Sequence, residues 1–264
     1  MTPISNYDTY NEGMAKSYED KLFFMEYIEN DESIESIVDY GCADGTMITH
    51  MAERLPKLNY FGYDIDPKMV RIANSKEKVF MADTIWKNIT GLIKPEQSLL
   101  NCSSVIHEVY SYGTGGEIEQ FWNRVKFTGF KYIAIRDFSV SKSINRQVSP
   151  SDYKNLFTNS TCEQTERIMD FEQIWGSVSQ NKNLIHYLMK YRYVDNWERE
   201  VRENYFPVYL EDLLNRLLSD DLYEIVYSNH YILPFTKSKI EEDFNIALTD
   251  NTHVQILLKK KEKR

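Results

Sequence analysis

The stretch Ile37–Leu55, IVDYGCADGTMITHMAERL, opens as an apolar strand, breaks at two glycines and resumes with apolar residues at helical spacing. A turn that leaves the carboxyl end of a strand and enters a helix is where open α/β sheets bind their ligands. Glycine at such a turn permits positive φ and lets the backbone approach a bound molecule closely. The dinucleotide fingerprint GxGxxG would need glycine at 41, 43 and 46, but the chain has Gly41, Ala43 and Thr46 there. The pattern present instead is DxGxxxG, made of Asp39, Gly41 and Gly45. Cys42 reads as a small turn residue rather than a nucleophile.

Outward from this turn, strand-like runs recur at Ile34–Tyr40, Leu58–Asp64, Lys78–Ala82, Ser98–Val105 and Lys131–Phe138. Helical patterns separate them: Thr46–Leu55 (stopped by Pro56), Pro67–Ser75, 84–92 and Gly116–Val125. Strand alternating with helix specifies a mostly parallel sheet with helices on both faces. Residues 14–29 carry apolar residues at helical spacing and read as one amphipathic helix. After Phe138 the rhythm changes. Residues 140–205 are polar, tyrosine-rich and helical in pattern, an insertion after strand five. A helix at Pro207–Leu218 and strands at Tyr223–Ser228 and Thr252–Lys259 then bring the expected sheet to seven strands. The expectation is a single domain: a leading helix within 1–30, a core at 34–139, the insertion at 140–205 and the rest of the sheet at 206–264.

The chain has 264 residues, 42% of them hydrophobic and 14% aromatic, which suits a packed core rather than disorder. Its formal charge of −9 argues against a broad nucleic-acid or anionic-membrane footprint. Three cysteines without a CxxC pair or zinc spacing fit a reducing, cytoplasmic setting and assign no metal. No apolar run approaches membrane-spanning length.

The glycine turn resembles motif I of the Rossmann-like (class I) S-adenosylmethionine-dependent methyltransferases, (D/E)xGxGxG, with Ala43 at the central glycine. Further landmarks come in order along the chain. YFGYDIDPKMVRIA resembles the family's second-strand motif, with Asp64 nineteen residues past Gly45. VFMADTIW resembles the third-strand motif, SLLNCSSVIHEV the fourth strand with the turn lining the transfer pocket, and KYIAIRDF the fifth strand. The resemblance implies S-adenosyl-L-methionine as cofactor, held by Asp39, Gly41, Cys42, Ala43 and Gly45. Asp64, a strand-end acid outside the core, would grip the ribose hydroxyls, and Asp83 would meet the adenine amino group. Ile65, Thr84 and Ser103 complete the implied cofactor set. It also implies that the leading helix covers the cofactor; Tyr7, Tyr10, Lys16 and Tyr18 there read first as lid packing.

The segment after strand four bears on the acceptor. SSVIHEVYSYG lacks both the (N/D/S)PP(Y/F/W) motif of nucleobase amino-group enzymes and the Pro-Cys nucleophile of cytosine-C5 enzymes. His107 and Glu108 are the candidate acid/base groups, and being adjacent they diverge, so one at most faces a pocket. Tyr110 and Tyr112, on a loop ending in GTGG, and Arg136 at the end of strand five are candidate substrate contacts, with Tyr191 and Trp197 from the insertion. Lys190, Arg192, Arg199 and Arg202 interleave with aromatic residues, a pattern that can bind single-stranded RNA. Glu198–Arg202 and Arg199–Glu203 also sit at i,i+4 spacing, as on a solvated helix. The expectation is methyl transfer to oxygen or nitrogen of a small-molecule or nucleotide-like acceptor, with RNA as the second choice. A catalytically silent cofactor-binding subunit is the alternative of another class. Composition assigns no membrane partner and no oligomeric state.

Overall fold

In the computed structural model, which describes residues 17–74 and 78–262, the glycine turn lies at the switch point of a seven-stranded sheet ordered β3-β2-β1-β4-β5-β7-β6. Strand β1 is Ser36–Tyr40, and every residue of it is buried. It runs parallel to β2 (Asn59–Asp64) on one side and to β4 (Ser98–Ser103) on the other, so Asp39 lies opposite both Gly62 and Asn101. Strand β3 (Lys78–Met81) extends the sheet beyond β2, and β5 (Tyr132–Phe138) extends it beyond β4, both in parallel. The chain therefore winds outward from β1 one way through β3, then returns to wind the other way. That reversal opens a crevice at the carboxyl ends of β1 and β4.

The last two strands, β6 (Tyr223–Tyr231) and β7 (His253–Lys260), close one edge. Ser139 N–H donates to Thr252 C=O and Lys260 N–H to Lys131 C=O, so β7 runs antiparallel to β5. Thr252 N–H to Tyr231 C=O and Lys261 N–H to Leu222 C=O give β6 and β7 the same antiparallel relation. Strands buried on both faces read as continuous apolar runs, which is why β1, β4 and β5 stood out in the sequence.

The chain divides into two compact units. One holds the glycine turn and runs to Asp137, with Leu214–Asn229 and the chain from Val254 onward. The other is Phe138–Leu213 with His230–His253. This second unit is helical, with Pro150–Asn159, Cys162–Trp175 and Asn181–Leu188 as its longer helices. Helix Pro234–Phe244 belongs to it as well, contributing Ile240 and Phe244 to a core shared with Leu156, Phe171 and Leu188.

Two expectations are corrected. The described part of 14–29 is two single turns, α1 (Tyr18–Lys21) and α2 (Met25–Ile28), not one helix. Leu22 and Phe24 are both buried, yet two positions on a continuous helix differ by about 200°. A break between the turns lets both side chains reach the core. The stretch carrying Tyr110 and Tyr112 is likewise not a loop but helix α7, Ile106–Tyr112; α3 to α6 are Thr46–Arg54, Pro67–Ala73, Ala82–Lys87 and Ile89–Leu92. Tyr7, Tyr10 and Lys16 lie outside the described residues.

Candidate functional site

Three residues of the turn sit in the left-handed region: Gly41 at φ 74°, Ala43 at 47° and Gly45 at 77°. For a residue with a Cβ this costs about 1–2 kcal/mol, so Ala43 holds its conformation against strain. Gly41 N–H and Cys42 N–H both donate to Tyr63 C=O, at 2.9 and 3.1 Å, and Gly45 N–H donates to Cys42 C=O at 2.9 Å. A Cβ on Gly41 would lie 2.9 Å from Val105 Cγ2, so the turn after β1 and the turn after β4 touch at this glycine. Cys42 is buried against Gly62, where an added Cβ would meet its Sγ at 2.8 Å. Burial pushes its thiol well up, which suits packing and not nucleophilic chemistry.

Asp39 is fully buried. Its Oδ1 accepts from Asn101 Nδ2 at 2.7 Å, and Asn101 Oδ1 accepts from Ser103 Oγ at 2.9 Å. Among the described residues its Oδ2 has no hydrogen-bond partner. Burial raises the Asp39 carboxyl to about 7, against the pull of Asn101 and Lys21. A buried carboxylate oxygen without a donor is costly and points to a group yet to be bound.

At the end of β2, Asp64 accepts from Ala43 N–H at 2.9 Å through Oδ2 and from Asp66 N–H at 2.8 Å through Oδ1. It is half-buried and fastens the glycine turn to β2. Burial raises its carboxyl. Ile65 beside it is 62% exposed, an apolar side chain held out at the mouth of the crevice. Thr84 is exposed on α5; the Asp83 side chain lies outside the described residues.

Across the switch point, Ser104 takes φ 56° and donates its N–H to Arg136 C=O at 2.7 Å. Asp137 then serves α7 twice: Oδ2 accepts from Ile106 N–H at 2.7 Å, and Oδ1 meets His107 Nδ1 at 2.6 Å. His107 is buried and Glu108 half-buried. Arg136, expected to face a substrate, is buried and donates to Asp20 Oδ2 at 2.6 Å. Gln255 Nε2 donates to Asp20 C=O at 2.7 Å and Oδ1 at 3.1 Å, so Asp20 pins α1 to β5 and β7. Tyr110 Oη accepts from Trp122 Nε1 at 3.0 Å and packs α7 on the next helix, α8 (Gly115–Phe127). Tyr112 is half-buried at the end of α7. Asp20, Lys21 and Asn101 carry no signal in sequence spacing; only the fold brings them to this crevice.

The helical unit uses its polar residues internally. Lys190 is fully buried and donates to the carbonyls of Glu200 and Glu203, with the Tyr205 ring 4.0 Å away. Arg199 and Glu203 form a buried ion pair at 2.9 Å, not a solvated ladder. Tyr191 is buried and donates to Asp243 at 2.7 Å, and Trp197 Nε1 donates to Asp170 at 3.2 Å. Arg192 lies 4.8 Å from the Phe235 ring. The basic and aromatic residues that suggested an RNA track are therefore spent largely within the unit.

No family model matches the sequence, and no curated protein matches it. Solved structures do. The plantazolicin methyltransferase BamL, in complex with a triazolic desmethylPZN analog and SAH, aligns over 97% of this chain and 88% of its own, at 11% identity and a TM-score of 0.50. PKMT2 from Rickettsia typhi, in complex with AdoHcy, aligns over 88% of this chain at 10% identity and a TM-score of 0.50, and this chain spans half of its length. The chain has the fold of these methyltransferases.

Proposed function

We propose that the chain is an S-adenosyl-L-methionine-dependent methyltransferase that acts on oxygen or nitrogen of a small-molecule or nucleotide-like acceptor. The observation that carries this is the turn Asp39–Gly45: left-handed at three residues and strained at Ala43, closed against Val105, and bordered by a buried carboxylate oxygen with no donor among the described residues. The site fits the cofactor that the fold's relatives bind. Gly41 and Ala43 would give it close backbone, Asp39 and Asp64 would accept from its donors, and Ile65, Asp83, Thr84 and Ser103 would line it. When bound, the cofactor supplies an activated methyl on sulfur, so the protein chiefly positions the acceptor and excludes water.

His107 is assigned as the proton acceptor. With Nδ1–H donated to the Asp137 carboxylate, the ring presents Nε2 as its basic nitrogen. Asp137 thereby fixes the tautomer, as a positioning residue. Glu108 and Tyr112, both half-buried on α7 with His107, are kept as candidate contacts for the acceptor. The triazolic analog held by BamL is a small molecule and supports a small acceptor over RNA. Free buried thiols at Cys42 and Cys102 suit the cytoplasm, and among the described residues no helix is long and apolar enough to cross a membrane.

The test is turnover. Purified protein incubated with S-adenosylmethionine and a panel of hydroxyl and amine acceptors should release S-adenosylhomocysteine with at least one of them. Tight cofactor binding without turnover across the panel would favour the silent-subunit reading.

A further inference from the structure

The sheet treats its two edges differently. Strand β3 is four residues long and opens on the exposed Lys78, two features that discourage a further strand from adding there. Strand β6 is nine residues, YEIVYSNHY, without proline, lysine or arginine. Among the described residues it pairs with β7 alone, so a row of backbone N–H and C=O groups lies open along its other side.

The side chains of β6 do not shield that row. Glu224, Ile225, Val226 and Ser228 are exposed, Ile225 and Val226 at 41% each. Neighbours in a strand point to opposite faces, so the run 224–226 is uncovered on both faces of the sheet. β-Branched residues along an open edge are what natural sheets avoid unless another strand covers them. The strand is nonetheless held firmly from inside. The Tyr227 ring packs against those of Phe23 and Tyr27 at 5.7 and 5.3 Å, and Tyr227 Oη and Asn229 Nδ2 both donate to Gln255 Oε1 at 3.4 Å. An edge fixed in this way is a preformed template for one more strand.

Charge and sequence select the partner. The chain carries −9 overall, yet the stretch Tyr223–Asn229 holds a single charged side chain, Glu224. When two copies meet antiparallel about a twofold axis at Val226, Val226 lies opposite itself, Ile225 opposite Tyr227, Glu224 opposite Ser228 and Tyr223 opposite Asn229. No like charges are opposed, and the β-branched residues meet β-branched or aromatic ones, the pairs that stabilise a ladder. We infer that the β6 edge is a self-association surface, through which two copies of this chain join their sheets in one antiparallel ladder centred on Val226.

Light scattering on the full chain across a concentration series should give the mass of two chains. Val226→Lys sets like charges face to face at the axis and should return the mass of one. Met169→Lys, at an exposed apolar position on helix Cys162–Trp175, should leave the dimer intact. Thermal melts of each variant control for folding. Cysteine pairing reads the register without adding charge to the strand, in a Cys162→Ser background that removes the exposed thiol. Val226→Cys brings two thiols across the axis, where antiparallel partners have Cα atoms about 4.5–5.5 Å apart, within disulfide reach. Mild oxidation with diamide should then give a covalent dimer that a reductant cleaves. Glu224→Cys sets its two thiols four residues apart along the ladder, about 14 Å, and should give none. A parent that stays monomeric overturns the assignment, as does a dimer that survives Val226→Lys or is lost equally to Met169→Lys. Cross-linking as efficient at Glu224→Cys as at Val226→Cys overturns it too.

Discussion

Both units bury charged residues, but they treat them in opposite ways. In the helical unit Lys190 has two carbonyls and Tyr205 has Glu200. At the switch point Asp39 keeps an oxygen without a donor, and Lys21 keeps an ammonium without a hydrogen bond among the described residues. Buried polar groups cost free energy unless matched, so an unmatched carboxylate oxygen in a ligand crevice marks a place for a donor. The basic, aromatic run at 187–202 divides the same way: Lys190 and Arg199 are buried within the unit, whereas Arg192 and Arg202 are exposed.

The largest effect is expected on the structural side of this contrast. Arg199→Ala leaves Glu203 buried without its partner and should destabilise the protein by about 3–5 kcal/mol in urea denaturation. Its affinity for S-adenosylhomocysteine should stay within about twofold of the parent, because its partners are structural. A large loss of affinity without loss of stability would place this network in the site instead.

Asp64 should behave as a member of both classes. Asp64→Ala should weaken S-adenosylhomocysteine by about 2–4 kcal/mol through the lost charge-assisted bonds. It should also lower stability by about 1–3 kcal/mol, since the Ala43 and Asp66 N–H groups lose their acceptor. Calorimetry and denaturation on the same preparation read the two effects separately. Affinity equal to the parent would move the ribose contact to another residue, with Asp66 the next to test.

Smaller still is the effect of the turn's strain. Gly41→Ala adds a Cβ at φ 74° and 2.9 Å from Val105 Cγ2, and should cost about 1–2 kcal/mol of stability together with measurable cofactor affinity. Parent-like behaviour in both would mean that the turn relaxes freely and is not preorganised.

The fourth expectation is a slope against pH. Asp39 is raised from 3.8 to about 7, so its folded form holds a proton more firmly than its unfolded form. Its stabilising contribution is complete below the unfolded value and is lost as pH rises through 7. Lys21 acts in a separate window: lowered from 10.5 to about 8, it makes the ligand-free protein gain stability as pH rises between those values. Denaturation of the ligand-free parent between pH 4 and pH 7 should therefore show a decline that Asp39→Asn removes. Identical profiles would mean that Asp39 already has a counter-charge.

The inner strands β1, β4 and β5 were legible because they are buried on both faces and separated by turn-forming residues, so hydrophobic runs and helical periodicity alternate cleanly. Asp39, Gly41 and Gly45 were legible because backbone geometry restricts which residues a strand-to-helix turn accepts. Helix α7 was missed: IHEVYSY is seven residues with no separating turn, too short to declare a helical period. Helix Pro234–Phe244 was missed because only Ile240 and Phe244 anchor it. The pairing of His107 with Asp137, or of Asp20 with Arg136, joins residues far apart in the chain and has no period to read. Lys190 and Arg199 were read as solvated because residue type alone does not disclose burial.

A strained turn beside an unsatisfied carboxylate should be selective for S-adenosylmethionine and its product over a dinucleotide. Titration calorimetry of the purified chain against S-adenosylhomocysteine and, separately, against NAD decides this. Micromolar binding of S-adenosylhomocysteine with no binding of NAD is expected; heat from NAD together with none from S-adenosylhomocysteine would refute the assignment.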